Sequence, residues 1–263
     1  MKIIDVHVHI GPAFKNEPKK FFDQSITAED TLGLLDRYGI AQAWVFPPAW
    51  QGGEYHDPTY EQANRATYEA VQKYPDRMVG LARVNPNMGQ AAVEEFERCV
   101  KEYGFRGMML HSDWDSFGLN DPKLHYPLME VAAAHGLPMV YHSGYAPSDP
   151  AGFLRLARQF PTVPIVLKHM GYQLAQDAIV AAREASNIFL ETSANWPAWI
   201  RHALRQLGPE RILYGSDAPF MTPDIEMAKI TMLPGLTDTA KEMILGGNAM
   251  SILPECAPRK EHA

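Results

Sequence analysis

MKIIDVHVHI, residues 1–10, is an apolar run broken by one aspartate and by two histidines a residue apart. Side chains alternate along a strand, so the spacing predicts Asp5, His7 and His9 on one side and Ile4, Val6 and Val8 on the other. On a solvated strand these would be ordinary residues. Inside a closed sheet, two neighbouring imidazoles need a common partner, so the meaning of the stretch depends on the architecture around it.

Seven further runs of the same character follow: AQAWVFP (41–47), MVGLARV (78–84), RGMMLH (106–111), PMVYHS (138–143), PIVLKH (164–169), NIFLET (187–192) and RILYGS (211–216). Helical patterns such as TAEDTLGLLDRYG (27–39) and GQAAVEEFERCVKEYG (89–104) fill the intervals. Thr27 followed by Asp30 marks one helix start, and Gly39, Gly104, Gly136 and Gly208 mark four helix ends. Regular alternation predicts a parallel sheet with crossover helices, and eight units in about 250 residues is the size of a (β/α)8 TIM barrel. A doubly wound dinucleotide-binding sheet would carry G-x-G-x-x-G after its first strand, and none follows here. No composition shift or Ser/Gly-rich linker divides the chain, which predicts one domain over 1–254 and a polar tail over 255–263.

With 263 residues, 46% of them apolar, the chain is long enough to bury a site. Its net charge is −7 and its Lys and Arg residues are scattered, which argues against a nucleic-acid partner. Cys99 and Cys256 form no CxxC, so no disulfide framework or thiolate metal site is expected and a reducing cytoplasm fits. The apolar start breaks at Asp5 and the other apolar runs are strand-sized, so neither a targeting segment nor a membrane partner is expected.

Barrel enzymes build their sites at the C-terminal ends of the strands. There lie His7, His9, His111, His142 and His169, five of the ten histidines, together with Asp217 in GSDAPF. A single histidine at a strand end is usually structural, and HxH alone is a weak signal; the joint pattern points to a metal ion. Three or four N and O donors around an open position are what a catalytic zinc requires, and such donors also accommodate manganese, iron or cobalt. Asp217, or an imidazole left uncoordinated, is placed to move a proton. Arg83 ends the third strand, where it either meets a substrate carboxylate or pairs with an acid. His111, Tyr145, Trp196 and Trp50 are candidate substrate contacts, the aromatics by stacking on a planar ring. Two long loops, GPAFKNEPKKFFDQS and PPAWQGGEYHDP, bring Phe14, Phe21 and Phe22 to the same rim as Trp50. Lys168, next to His169, is expected to face the helix layer as a snorkelling group. His56, His125, His135, His202 and His262 fall on helices, helix starts or the tail and receive no role.

With these residues assembled, the chain resembles the amidohydrolase superfamily, in the amidohydrolase-related branch that includes aminocarboxymuconate semialdehyde decarboxylase. The resemblance rests on IIDVHVHIG, GFRGMMLH, MVYHSGY, LKHMGY, NIFLETSA, RILYGSDAPF and ILGGNAMSIL, which span nearly the whole chain. It implies that His7, His9, His142 and Asp217 hold one metal ion, zinc by preference, and that His169 is an acid/base or substrate-orienting residue. Two-metal relatives carry a carboxylated lysine at the end of the fourth strand; Met109 stands there, so the resemblance implies a mononuclear site.

Two reactions suit that site. The preferred expectation is a hydrolase in which metal-activated water attacks an amide, lactone or ester of a small molecule. The alternative is non-oxidative decarboxylation of a small aromatic or unsaturated carboxylate, which calls for a cation near the scissile group; Arg83 is the candidate at the rim. A noncatalytic metal-binding barrel is the third reading, and it requires a closed coordination sphere. A homodimer is compatible with all three.

Overall fold

The computed structural model describes residues 1–11, 26–48 and 58–253. Trp50, Phe14, Phe21, Phe22, His56, Cys256, His262 and the tail lie outside the described residues. All eight expected strands form, each shorter than its apolar run: β1 (Ile4–His9), β2 (Gln42–Phe46), β3 (Met78–Gly80), β4 (Met108–Leu110), β5 (Met139–Tyr141), β6 (Ile165–Leu167), β7 (Ile188–Glu191) and β8 (Ile212–Leu213). Between them run α1 (Ala28–Arg37), α2 (Glu61–Lys73), α3 (Gln90–Arg98), a one-turn α4 (Ser112–Asp115), α5 (Tyr126–His135), α6 (Pro150–Gln159), α7 (Ala175–Glu184) and α8 (Pro197–Leu207). After β8 come α9 (Pro223–Thr231), α10 (Asp238–Glu242) and α11 (Asn248–Ile252).

The helix signals work as read. Thr27 Oγ1 accepts from Asp30 N at 3.0 Å while Asp30 Oδ2 accepts from Thr27 N at 3.1 Å, a reciprocal cap on α1. Pro150 opens α6 behind Asp149, whose Oδ1 accepts from Gly152 N at 2.9 Å. Among the described residues, no helix is long and apolar enough to cross a membrane.

Sequential strands pair in parallel within two sheets, β1–β2–β3 and β4 through β8. Hydrogen bonds cross both seams. Ala82 N donates to Gly107 O at 2.9 Å and Met109 N to Ala82 O at 2.8 Å; Val6 N donates to Tyr214 O at 3.1 Å and His9 N to Ala218 O at 2.8 Å. The ring is thereby closed as a (β/α)8 barrel.

Its interior is filled from successive strands by Ile4, Val6, Trp44, Phe46, Leu81, Met109, Val140, Val166 and Leu213. Full burial of such side chains stabilises by roughly 1.5–3 kcal/mol each, so this plug fixes the strand ends above it. A second, larger cluster packs the outer faces of β4 to β8 against the helices.

The simple alternation expected for β1 is corrected. Asp5 pairs with Ala43 but Val8 pairs with Val45, so one extra residue is accommodated between them as a bulge. Ile4 and Val6 therefore join the barrel interior, whereas Val8 and Ile10 pack outward with Leu35 of α1. His7 and His9 still share the mouth. Asp5 does not join them: its Oδ1 accepts from His7 N at 3.0 Å and from Ser216 N at 2.9 Å, tying β1 to the chain beyond β8. Burial raises the Asp5 pKa to about 7 against the pull of these bonds.

Candidate active site

At the mouth, three donor atoms converge. His7 Nε2 lies 3.2 Å from His9 Nε2 and 2.9 Å from Asp217 Oδ1, and His9 Nε2 lies 3.1 Å from the same oxygen. Neighbouring ligands around an ion with bonds of about 2.1 Å stand roughly 3.0–3.4 Å apart, so this triangle has the size a divalent ion requires. Its charge also fits. Burial, then Lys168, push the His7 pKa down, yet Asp217 and Glu191 more than offset them and leave it raised. The spot favours a positive charge, which an ion supplies better than a proton. Burial pushes Asp217 up, but the adjoining His7 and His9 imidazoles outweigh it and hold the carboxylate well below its usual range. Burial chiefly, with Lys168 and His7 adding to it, overrides the pull of Asp217 and drives His9 the other way, down to about 3.

Glu191, at the end of β7, orients this set and was not recognised as a functional residue in the sequence. Fully buried, it accepts from His7 Nδ1 at 3.0 Å, from Ser193 Oγ at 2.9 Å, from the His169 amide at 3.2 Å and from the Ser193 amide. Burial raises the Glu191 pKa, but the hydrogen bond from His7 and the further electrostatic pull of the His7 and His169 positions overcome it and hold Glu191 at about 2, alongside the bond from the Ser193 amide. A carboxylate only accepts, so His7 Nδ1 carries the proton and Nε2 presents its lone pair to the metal position. Only a glycine at 215 permits this approach, because a Cβ there would lie 2.5 Å from Glu191 Oε1. The available signal was a lone acid ending a strand run.

His169 stands beside the triangle, its ring 5.2 Å from that of His7. Ser193 Oγ donates to Glu191, so it receives the His169 Nδ1 proton at 2.9 Å and leaves His169 Nε2 unprotonated. Burial lowers the His169 pKa to about 3, which keeps the ring neutral. The backbone is strained here: His169 has φ 59°, Met170 φ 50°, Tyr172 φ 47°, and Asp217 φ 57°. Such positive values cost of order 1–3 kcal/mol per residue. Asn195 Nδ2 holds the turn through His169 O at 2.7 Å.

The opposite wall comes from β4 and β5. His142 Nδ1 faces Asp113 Oδ2 at 3.0 Å, and Ser148 Oγ donates to both Asp113 oxygens at 3.0 Å. His111 stacks on His142 with centroids 3.9 Å apart and caps α4 by accepting from Trp114 N. His111, Asp113 and His142 thus form a group of possible donors separate from His7, His9 and Asp217, while the His142 ring lies 5.1 Å from His169. Tyr145 lies parallel to His142 at 5.7 Å and is 39% exposed, whereas Trp196, 75% exposed, precedes α8. Phe46 and Phe220 flank His9 at 5.0 and 4.9 Å and complete an aromatic wall that the sequence reading omitted.

Of two cations near the mouth, Arg83 takes one of its two expected roles and Lys168 departs from its expected place. Arg83 is buried and donates from Nη2 to Asp115 Oδ2 at 2.9 Å, under the Tyr60 ring; it pairs with an acid. Lys168 is corrected from the helix layer to the barrel interior. Only 2% exposed, its Nζ donates to His7 Nε2 at 3.0 Å and sits 5.1 Å above the Phe46 ring. Lys168 follows Val166 on the inward face, and the left-handed turn at His169 breaks the alternation that would have sent one of the pair outward.

A profile described as amidohydrolase matches residues 4–254, and the chain belongs to that family of enzymes. It is 26% identical over 277 residues to gamma-resorcylate decarboxylase of Polaromonas sp. (strain JS666 / ATCC BAA-500), covering 83% of this chain and 85% of that one. The fold is similar to that of 5-carboxyvanillate decarboxylase LigW from Sphingomonas paucimobilis, with TM-score 0.78, 20% identity and coverage of 95% and 98%. Dihydroxybenzoic acid decarboxylase from Polaromonas sp. JS666, solved with bound manganese and 2-nitroresorcinol, gives TM-score 0.72, 20% identity and coverage of 95% and 96%. These proteins are decarboxylases, which overturns the expectation of hydrolysis and supports the alternative. The residues alone could not choose, because both reactions use the same ion and a proton donor.

Proposed function

We propose that this chain catalyses non-oxidative decarboxylation of a small hydroxyaryl carboxylate, with one divalent ion held by His7, His9, His142 and Asp217. The observation that carries the proposal is the 2.9–3.2 Å triangle of His7 Nε2, His9 Nε2 and Asp217 Oδ1 beneath an aromatic rim. His142 is added as the fourth ligand because its Nδ1 faces a carboxylate, as His7's does, which leaves its Nε2 free for an ion. Imidazole and carboxylate donors accept either zinc or manganese. When bound, the ion supplies Lewis-acid charge beside the substrate oxygens.

The chain's own residues handle the proton. Asp217 enters ionised and His169 neutral with Nε2 unprotonated, so either accepts the proton of a ring hydroxyl. That proton passes to the ring carbon bearing the carboxylate. The carbon–carbon bond then breaks, its electron pair restores the aromatic ring, carbon dioxide departs, and the phenolate left behind is reprotonated by solvent. Phe220 and Tyr145 offer an edge and a face for the ring.

The test is to load purified protein with Mn2+ or Zn2+ and offer 2,6-dihydroxybenzoate and 5-carboxyvanillate with and without chelator. Chelator-sensitive release of carbon dioxide, with hydrogen replacing the carboxylate, is expected. Metal-loaded protein that converts neither these nor a wider panel of hydroxybenzoates contradicts the proposal.

A further inference from the structure

Removal of a carboxylate calls for a cation where that group binds, and the sequence offers Arg83. Arg83 is already committed: it is buried, ion-paired with Asp115 at 2.9 Å and stacked under Tyr60. Lys168 is the other cation whose charge acts on the site. Its ammonium is buried and touches the very atom, His7 Nε2, that would hold the ion.

That contact cannot survive metal binding. The His7 Nδ1 proton is fixed by Glu191, so Nε2 has a single lone pair, and an ion that takes it removes the acceptor of Lys168. Among the described residues, no carboxylate lies within ion-pair distance of Lys168; Asp217 and Glu191 act on it only through space. A buried ammonium would then be unsatisfied a few ångströms from a divalent ion, which is costly unless an anion reaches both. The Phe46 ring below Nζ blocks retreat into the apolar plug.

We infer that Lys168 is the residue that binds the substrate carboxylate, at the floor of the site beside the metal position, so that the ligand class is a planar monocarboxylate. The inference rests on the decarboxylase reading. A charge-assisted hydrogen bond contributes about 1.5–3 kcal/mol, equivalent to roughly tenfold or more in affinity.

The experiment compares wild type with Lys168→Met and Lys168→Arg, all loaded with Mn2+. It uses benzoate, which lacks a ring hydroxyl, and phenol, which lacks the carboxylate, as calorimetric probes. Metal content is measured by elemental analysis. Lys168→Met is expected to weaken benzoate roughly tenfold or more, leave phenol within about twofold and keep its metal, while Lys168→Arg retains most benzoate affinity. Benzoate affinity unchanged in Lys168→Met, equal losses for both probes, or loss of the metal overturns the assignment. Lys168→Gln replaces the methionine variant if that fails to fold. If wild type decarboxylates hydroxybenzoates while Lys168→Met binds benzoate normally, only this inference fails; a wild type that releases no carbon dioxide removes the reading beneath it.

Discussion

The two walls of the mouth use one device in two settings. On the β1/β7/β8 side, the His7 and Glu191 side chains are both 0% exposed; on the β4/β5 side, His142 and Asp113 are 14% and 20% exposed. The imidazole Nδ1 lies 3.0 Å from its carboxylate in each case. Glu191 is held by four donors from three strand ends, whereas Asp113 sits on the single turn of α4 and is held by His142 and Ser148. The difference teaches that one pair can serve two settings: the buried wall seats three of the four proposed ligands, and the more exposed wall presents His142 from a surface open to substrate.

Four perturbations break or sharpen this contrast. The largest effect lies behind the second wall, where His125 Nδ1 meets Leu119 O at 2.6 Å and Nε2 meets the Tyr141 hydroxyl at 2.9 Å. Burial lowers the His125 pKa to about 4, below its unfolded value near 6.5. The unfolded chain therefore binds more protons in this window, and stability is lost as pH falls from about 6.5 to 4, by roughly 3 kcal/mol. Denaturant unfolding at several pH values should show that slope reduced in His125→Gln.

Next is Glu191→Gln, expected to cost roughly 100-fold in metal affinity, the upper end for an orienting partner, since the amide unseats His7, His169 and Ser193 together. Competition with a chelating dye measures it. Asp113→Asn, on the exposed wall, should lose only about tenfold in the same titration, and equal losses in the two variants would erase the distinction drawn between the walls. Smallest is Tyr145→Leu, which keeps an apolar surface. It should raise KM by a few fold, in keeping with about 0.5–1.5 kcal/mol for an aromatic pair, and leave metal content unchanged.

Much of this was legible in the order of residues. Short apolar runs alternating with helical patterns announced the eight strands, and the histidines and the aspartate that close or follow several of those runs announced the rim, because inward-facing positions at strand ends have no apolar plug to join. What escaped reading depends on the third dimension. The bulge between Asp5 and Val8 reverses faces within β1, so Asp5 left the histidines and became a tie to Ser216. Left-handed φ at His169 lets Lys168 and His169 both reach the mouth, where period-two alternation allows only one. Glu191 and Asp113 are ordinary acids in sequence, and only folding brings them against histidines 184 and 29 positions away. Arg83 shows the converse, a rim cation paired with Asp115 at the end of α4.

The central claim is a single ion between the two walls. Anomalous diffraction at the manganese edge, on crystals grown with Mn2+, tests it most directly. The account expects one peak within bonding distance of His7 Nε2, His9 Nε2, Asp217 and His142; a peak held instead by His111, Asp113 and His142, or two peaks of equal height, would contradict it.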